Sequence, residues 1–375
     1  MFAAFLDHHI GGTSMKIQII VALLLSLAGY VSAQEKIIKP VLKSSLEREK
    51  FAKFWFNPNG RHILVIEQEV GLNLKLNNDF KGEVEFIEAR TGKTVSRFRV
   101  CGGLNFAEGS FSFDTNLWAV ICQSGKAEVW DIEQSKLVQD FYPIKGNQVI
   151  SLVLSTDGTR LLTFENFDKF IAATDDRVVL WNVQTGKAIN ELYPNLTASK
   201  DANKQAEFSD DSEMVAVSYL FDVYLWNARN GRQIARLVDK SLGSFGAATH
   251  RHLAYTMRFS PDESKLVTGS VDRTYKIWDT LTGELLKTLE GHKSRDGNAF
   301  FSVDGELLVT SDWAKTIKLW RVKSGELLWT TKLKNSTYHL TFSPNGQKLF
   351  LYTHLDSMIL DVKTGRTIWS EKGRG

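Results

Sequence analysis

The sequence predicts an all-β repeat protein made of seven small four-stranded antiparallel sheets, and three features predict it. The first is the stretch Met257 to His292, where short β-prone runs alternate with turn residues. Phe259 runs into Ser260-Pro261-Asp262, Lys265 to Thr268 follows, and Val271-Asp272-Arg273 breaks the chain again. Tyr275, Ile277 and Trp278 form the next run, and Thr282-Gly283 turns it into Leu285 to Leu289. A sheet of four such strands cannot bury both faces alone, so it needs copies of itself to stack against. The second feature is a fixed spacing: 19 positions separate Phe259 from Trp278, Phe301 from Trp320 and Phe111 from Trp130. The third is a register residue five positions before a turn glycine: Ile87, Trp181, Trp226, Trp278, Trp320 and Leu360, with Trp130 fitting where Ser135 takes the glycine place. These seven positions advance by 43, 51, 45, 52, 42 and 40 residues, which is the size of one four-stranded unit.

Taken in order, residues 1–33 stand apart from the fold. Met15-Lys16 is a positive start, Ile17 to Ala28 is almost wholly apolar, and Val31-Ser32-Ala33 precedes Gln34 in the small-x-small pattern of a cleavage site. Together they read as a secretory signal peptide with translation beginning at Met15. The apolar run falls short of the about 20 residues a membrane anchor needs, so no stable anchor is expected after cleavage. Residues 34–50 are a lead. Ile37 to Leu42, with Pro40 inside it, suits an edge strand that closes the repeat array, whereas the charged run Glu47 to Lys50 suits a disordered lead.

The repeats take up residues 51–375. The first begins near Phe54, ahead of the turn Asn57-Pro58-Asn59-Gly60, and has Ile87-Glu88 where later units have Trp; the last has Leu360-Asp361. The atypical units are therefore the terminal ones. Unit one takes 31 positions from Phe56 to Ile87, placing an insertion after Ile66, and unit three takes 27 from Leu154 to Trp181, placing one after Thr163. The link from Gly231 to Phe259 is 28 positions against 18 from Gly283 to Phe301. Ten Trp and 23 Phe in a chain that is 43% apolar supply ample core, and a net charge of +3 without a basic run does not imply nucleic acid.

The Ser260-Pro261-Asp262 turn, the Trp278-Asp279 pair and the Gly291-His292 pair resemble the WD-repeat family. The resemblance implies a seven-bladed β-propeller of four-stranded antiparallel blades. It also implies a structural tetrad in unit five, in which His250, Ser270, Asp272 and Trp278 form a hydrogen-bonded chain that satisfies a buried imidazole and indole. His250 lies nine residues before Phe259, as His292 does before Phe301. In unit two, counting nine back from Phe111 reaches Gly102, so Cys101 stands beside the His place, while Cys122 stands in the place of Ser270. Since the His and Ser of one blade touch in this family, Cys101 and Cys122 are expected to form a disulfide, as an oxidising compartment allows.

No catalytic constellation is present. Asp175-Asp176 and Asp210-Asp211 fall in turn positions, His250-Arg251-His252 lacks a third ligand at metal-site spacing, and no phosphate loop or nucleophile elbow occurs. Asn195 and Asn335 open sequons. Leu360 to Trp369 and the parallel Gly325 to Trp329 spacing resemble the docking motif of quinoprotein-type propellers, a group that includes quinone-dependent dehydrogenases and cofactor-free scaffolds of outer-membrane assembly. The reading adopted is a secreted or periplasmic, monomeric, non-catalytic protein–protein interaction scaffold without cofactor or metal; a quinoprotein-like propeller is the alternative. In WD-repeat propellers the loops between second and third strands and between blades open on one side, and the insertions collect there. Phe164, Phe167, Phe170, Tyr219, Phe221 and Trp313 are the expected anchors for a protein partner on that side. The three Phe also have the spacing of a one-turn helical lid on unit three.

Overall fold

The computed structural model describes residues 51–57, 61–68, 83–89, 91–101, 104–143, 147–167, 177–192, 204–245, 248–353 and 355–372. The signal-peptide and closing-strand expectations, on residues 1–33 and 34–50, lie outside them. Among the described residues the chain forms 28 strands, and its single helical element is a short 3₁₀ segment at Lys240–Phe245. Each sheet uses four strands consecutive in the chain, every one antiparallel to the next. The seven sheets are the blades of a seven-bladed β-propeller. They span 51–99, 104–141, 147–191, 204–236, 254–289, 296–332 and 337–372. Blades one to three fall in one compact unit of the chain and blades four to seven in another.

Turn chemistry sets where each blade folds back. Gly92, Gly186, Gly231, Gly283, Gly325 and Gly365 all adopt a left-handed φ of 65 to 74°, which closes the turn between third and fourth strands. Ser135 accepts the same conformation at φ 52°. Strand direction alternates along each blade. Hence the link entering a blade, the hairpin between its second and third strands and the link leaving it lie at one end, and the other two hairpins lie at the opposite end.

Packing between neighbours follows from period-two alternation. In blade five, Leu266 pairs with Trp278 and Val267 with Ile277, and all four side chains are fully buried. Leu266 and Trp278 face blade four, among Ala216, Val223 and Leu225. Val267 and Ile277 face blade six, among Leu308 and Trp320. Blade two does the same: Trp118 and Val120 join Leu64 and Phe86 of blade one, while Ala119 and Ile121 join Leu152 and Leu161 of blade three. The outer strand has no sheet beyond it, so Leu286 in Leu285–Leu289 is 40% exposed.

Trp329, at the end of the spacing that resembles a quinoprotein docking motif, packs over Gly365 and donates its indole N–H to the Val362 carbonyl at 2.7 Å. In that place it joins the outer strand of blade six to a turn of blade seven.

Cys101 and Cys122 form a disulfide at a sequence separation of 21. It fastens the strand Leu117–Cys122 to the segment entering blade two. Closing a loop of that length contributes about 3 kcal/mol through unfolded-chain entropy. Thiol titration in denaturant without reductant should find neither cysteine reactive, and both after reduction. The Cys101→Ser, Cys122→Ser double variant should lose about 3 kcal/mol of unfolding free energy.

Candidate functional site

The end of blades four to seven that holds the links and the second-to-third-strand hairpins is organised by two buried polar relays. In blade five the Trp278 indole N–H donates to Thr268 Oγ1 at 2.8 Å, and Thr268 lies 2.7 Å from His250 Nε2. His250 Nδ1 is 3.1 Å from Asp272 Oδ2. One proton arrangement satisfies every member: indole N–H to hydroxyl oxygen, hydroxyl hydrogen to Nε2, and Nδ1–H to carboxylate. Burial drives the His250 pKa down, which keeps the ring neutral despite the Asp272 carboxylate. Burial by itself would raise the Asp272 carboxyl, but bonds from His250, Thr274 and the Arg251 amide outweigh it and hold it well below the usual carboxylate range.

Ser270, the expected hydroxyl of this chain, is not part of it. Its Oγ donates to the His252 carbonyl at 3.1 Å and accepts from the Asp272 amide at 3.0 Å, so it shapes the hairpin instead. Thr268 lies two residues back on the same strand face, alongside the Trp278 ring. Blade six repeats the first two links, Trp320 to Thr310 and Thr310 to His292 Nε2, each at 2.8 Å, and sets Asp312 Oδ2 3.2 Å from His292 Nδ1 at an angle outside hydrogen-bond geometry. The signal for the threonines was in the sequence: each stands ten positions before its tryptophan, and unit six has Asp312 in the place of Ser270. Blade two replaces the relay. Val120 stands in the threonine place, and the Trp130 indole donates to buried Glu128, which also pairs with Lys126. Glu128 approaches both cysteines within 4.8 Å, but their sulfurs are bonded to each other and leave a lone carboxylate.

The aromatic anchors divide. Trp313 is 47% exposed at the tip of the hairpin between Leu307–Asp312 and Thr316–Arg321. Its amide donates to the Arg295 carbonyl at 3.2 Å, its carbonyl accepts from Ser336 Oγ at 3.2 Å, and the Arg295 guanidinium lies 3.9 Å from its ring centroid. Asp312, beside it, accepts from the amides of Lys293 and Thr316 and pairs with His292, so the hairpin base is fixed from three directions. Phe221 is 43% exposed at the matching hairpin of blade four, edge-on to His252. Phe164 and Tyr219 are core residues, 1% and 5% exposed, and cannot anchor a partner. Both lie within strands: Arg160–Phe167 runs past Phe164, and Tyr219 ends Met214–Tyr219. The same strand takes in the backbone of Phe167, so Phe164 and Phe167 do not start a helical lid. The Phe167 side chain, Phe170, Asp175-Asp176 and the insertions at 69–82 and 168–176 lie outside the described residues. Asp211 is a turn residue that accepts from Ser209 Oγ and the Glu213 amide. Asn335 donates its side-chain amide to Asp356 at 2.8 Å.

Comparison with known proteins agrees with this geometry. The family model described as "WD domain, G-beta repeat" matches residues 241–279 and 283–321. The second match starts at the outer strand of blade five and ends with the third strand of blade six, so the sequence repeat straddles two blades. Two repeats of this seven-bladed β-propeller, at residues 241–279 and 283–321, are WD repeats. The chain's WD-repeat relatives include periodic tryptophan protein 2 of Arabidopsis thaliana, 24% identical over 46% of this chain and 17% of that protein. Target of rapamycin complex subunit LST8 of Bos taurus is 34% identical over 24% of this chain and 27% of that protein. GID complex subunit 7 of Schizosaccharomyces pombe is 24% identical over 38% of this chain and 26% of that protein. The matched stretches thus span 17 to 27% of these curated relatives. Among solved structures, the computationally designed Ika8 protein aligns with a TM-score of 0.61 at 19% identity, covering 86% of each chain, a likeness of fold.

The WD-repeat relay makes a quantitative claim about two hydroxyls. Thr268→Val leaves the Trp278 indole and His250 Nε2 unpartnered in the core and should cost on the order of 2–4 kcal/mol in denaturant unfolding. Ser270→Ala leaves the relay intact and should cost about 1 kcal/mol. The opposite ranking would restore Ser270 to the relay.

Proposed function

We propose that the chain is a non-catalytic protein-binding module, exported by a signal peptide at residues 1–33 and working as a secreted or periplasmic monomer. Its partner docks on the end of blades four to seven that carries Trp313. One observation carries the reading: a large aromatic stands nearly half exposed on a hairpin whose tip is hydrogen-bonded to both flanking links and whose base residue, Asp312, is buried. A rigid, exposed aromatic loses little freedom on binding and buries large area, which is what an interface anchor requires. Phe221 supplies a second anchor at the same end of blade four. Relatives named as subunits of the target of rapamycin and GID complexes support a role in protein assemblies. The Asp, His and Lys side chains buried at this end are engaged in structural pairs, which favours binding over chemistry.

Capture of partners from the envelope or medium fraction of the source cells, read by mass spectrometry, tests this. The Trp313→Ala, Phe221→Ala variant should capture at least about tenfold less of the same partner with an unchanged melting temperature. Undiminished capture, lost instead on mutating the opposite end of these blades, would refute the assignment.

A further inference from the structure

We infer that the Trp313 end of blades four to seven is shaped for an acidic segment of a partner protein. The inference rests on the docking reading above and adds the charge of what docks. The links and second-to-third-strand hairpins at this end expose Arg251, Arg273, Lys293, Arg295, Lys315 and Lys334. Among the described residues of these loops, Glu290 is the exposed carboxylate. Of the other acids there, Asp239 pairs with Lys276 at 2.7 Å, Asp272 with His250 and Asp312 with His292, while Asp222 and Asp356, at the hairpins of blades four and seven, are half-buried against Arg236 and Asn335. The opposite end of the same blades mixes its charges, with Asp262, Asp304 and Glu306 exposed alongside Arg321, Lys323 and Lys348. The positive field therefore belongs to one end.

The arrangement selects charge because the relays consume the carboxylates that would otherwise neutralise these loops. Asp272 and Asp312 are needed to hold the imidazoles, and Arg273 and Lys293, next to relay residues in sequence, are left facing water. Like charges gathered on fixed loops repel one another, and an anionic partner relieves that repulsion while speeding encounter. A single-stranded nucleic acid is also anionic, but its binding uses a run of aromatic platforms for successive bases. Among the described side chains of these loops, the exposed large aromatics are Phe221 and Trp313, on hairpins of blades four and six. Carboxylates flanking an apolar side chain suit one aromatic anchor set among cations.

The test uses the full chain and three fluorescein-labelled unstructured peptides of equal length and identical leucine content, rich in Glu, Gln or Lys. In fluorescence anisotropy the Glu peptide should bind at least about tenfold more tightly than the Gln peptide and lose that advantage at high salt. The Arg273→Glu, Lys293→Glu, Lys334→Glu variant should abolish the advantage with an unchanged melting temperature. Equal affinity for the Glu and Gln peptides, or none for the Glu peptide, overturns the inference. Tighter binding of an oligodeoxynucleotide of matched charge overturns it in favour of nucleic acid. Capture of the native partner separates the two readings. If the charge-reversed variant still captures it and Trp313→Ala does not, the docking end stands and the acidic partner falls; if neither variant loses it, both fall.

Discussion

A four-stranded sheet of five- or six-residue strands has two apolar faces and nothing of its own to cover either. In blade five the fully buried pairs Leu266–Trp278 and Val267–Ile277 belong to opposite faces, and each is covered by a different neighbour. The inner strands of a blade are thus core only while its neighbours are in place, so stability is shared between adjacent blades. The straddled sequence repeat has the same cause: the fold's working unit is an interface between sheets, not a sheet.

This constraint explains the relays. A tryptophan wedged between sheets brings an indole N–H into a place without water, and an unpaired donor there costs about as much as the hydrogen bond it forgoes. Thr268 and Thr310 accept that donor, the imidazoles of His250 and His292 accept the hydroxyl hydrogens, and Asp272 closes the chain in blade five. Each relay ends in a hairpin at the same end of its blade, so satisfying the core also stiffens the loops that present Trp313 and the surrounding cations. Blade two meets the same demand differently, with Glu128 as the indole acceptor and the disulfide as the tie between strand and link.

The repeat was legible because spacing survives where residue types do not. Register positions five before a left-handed turn residue, glycine in six units and Ser135 in the second, located all seven blades, even those with Ile87 and Leu360 in place of Trp. The cysteine pairing was legible for the same reason. Depth along a strand is harder to read: Thr268 and Ser270 are both hydroxyls on one strand face, and within unit five nothing separates them, whereas unit six, with Thr310 and Asp312 in those two places, does. Phe164 and Tyr219 were misplaced because strand ends are poorly marked by sequence; Phe164 lies inside a strand that continues to Phe167, and Tyr219 is buried at the last position of its own. The positive end was invisible because its cations come from separate loops of three blades, and only the alternation of strand direction gathers them.

Whether neighbouring blades share their stability can be measured by native-state amide hydrogen exchange on the Trp278→Ala variant, residue by residue. Removing a side chain wedged between blades four and five should lower protection in the strands of both, Met214–Tyr219 as well as Lys265–Ser270, by factors of about ten to a thousand. Blade seven, which does not touch that side chain, should keep more of its protection. Loss confined to blade five, with blade four unaffected, would contradict the account, because each sheet would then be stable without its neighbour.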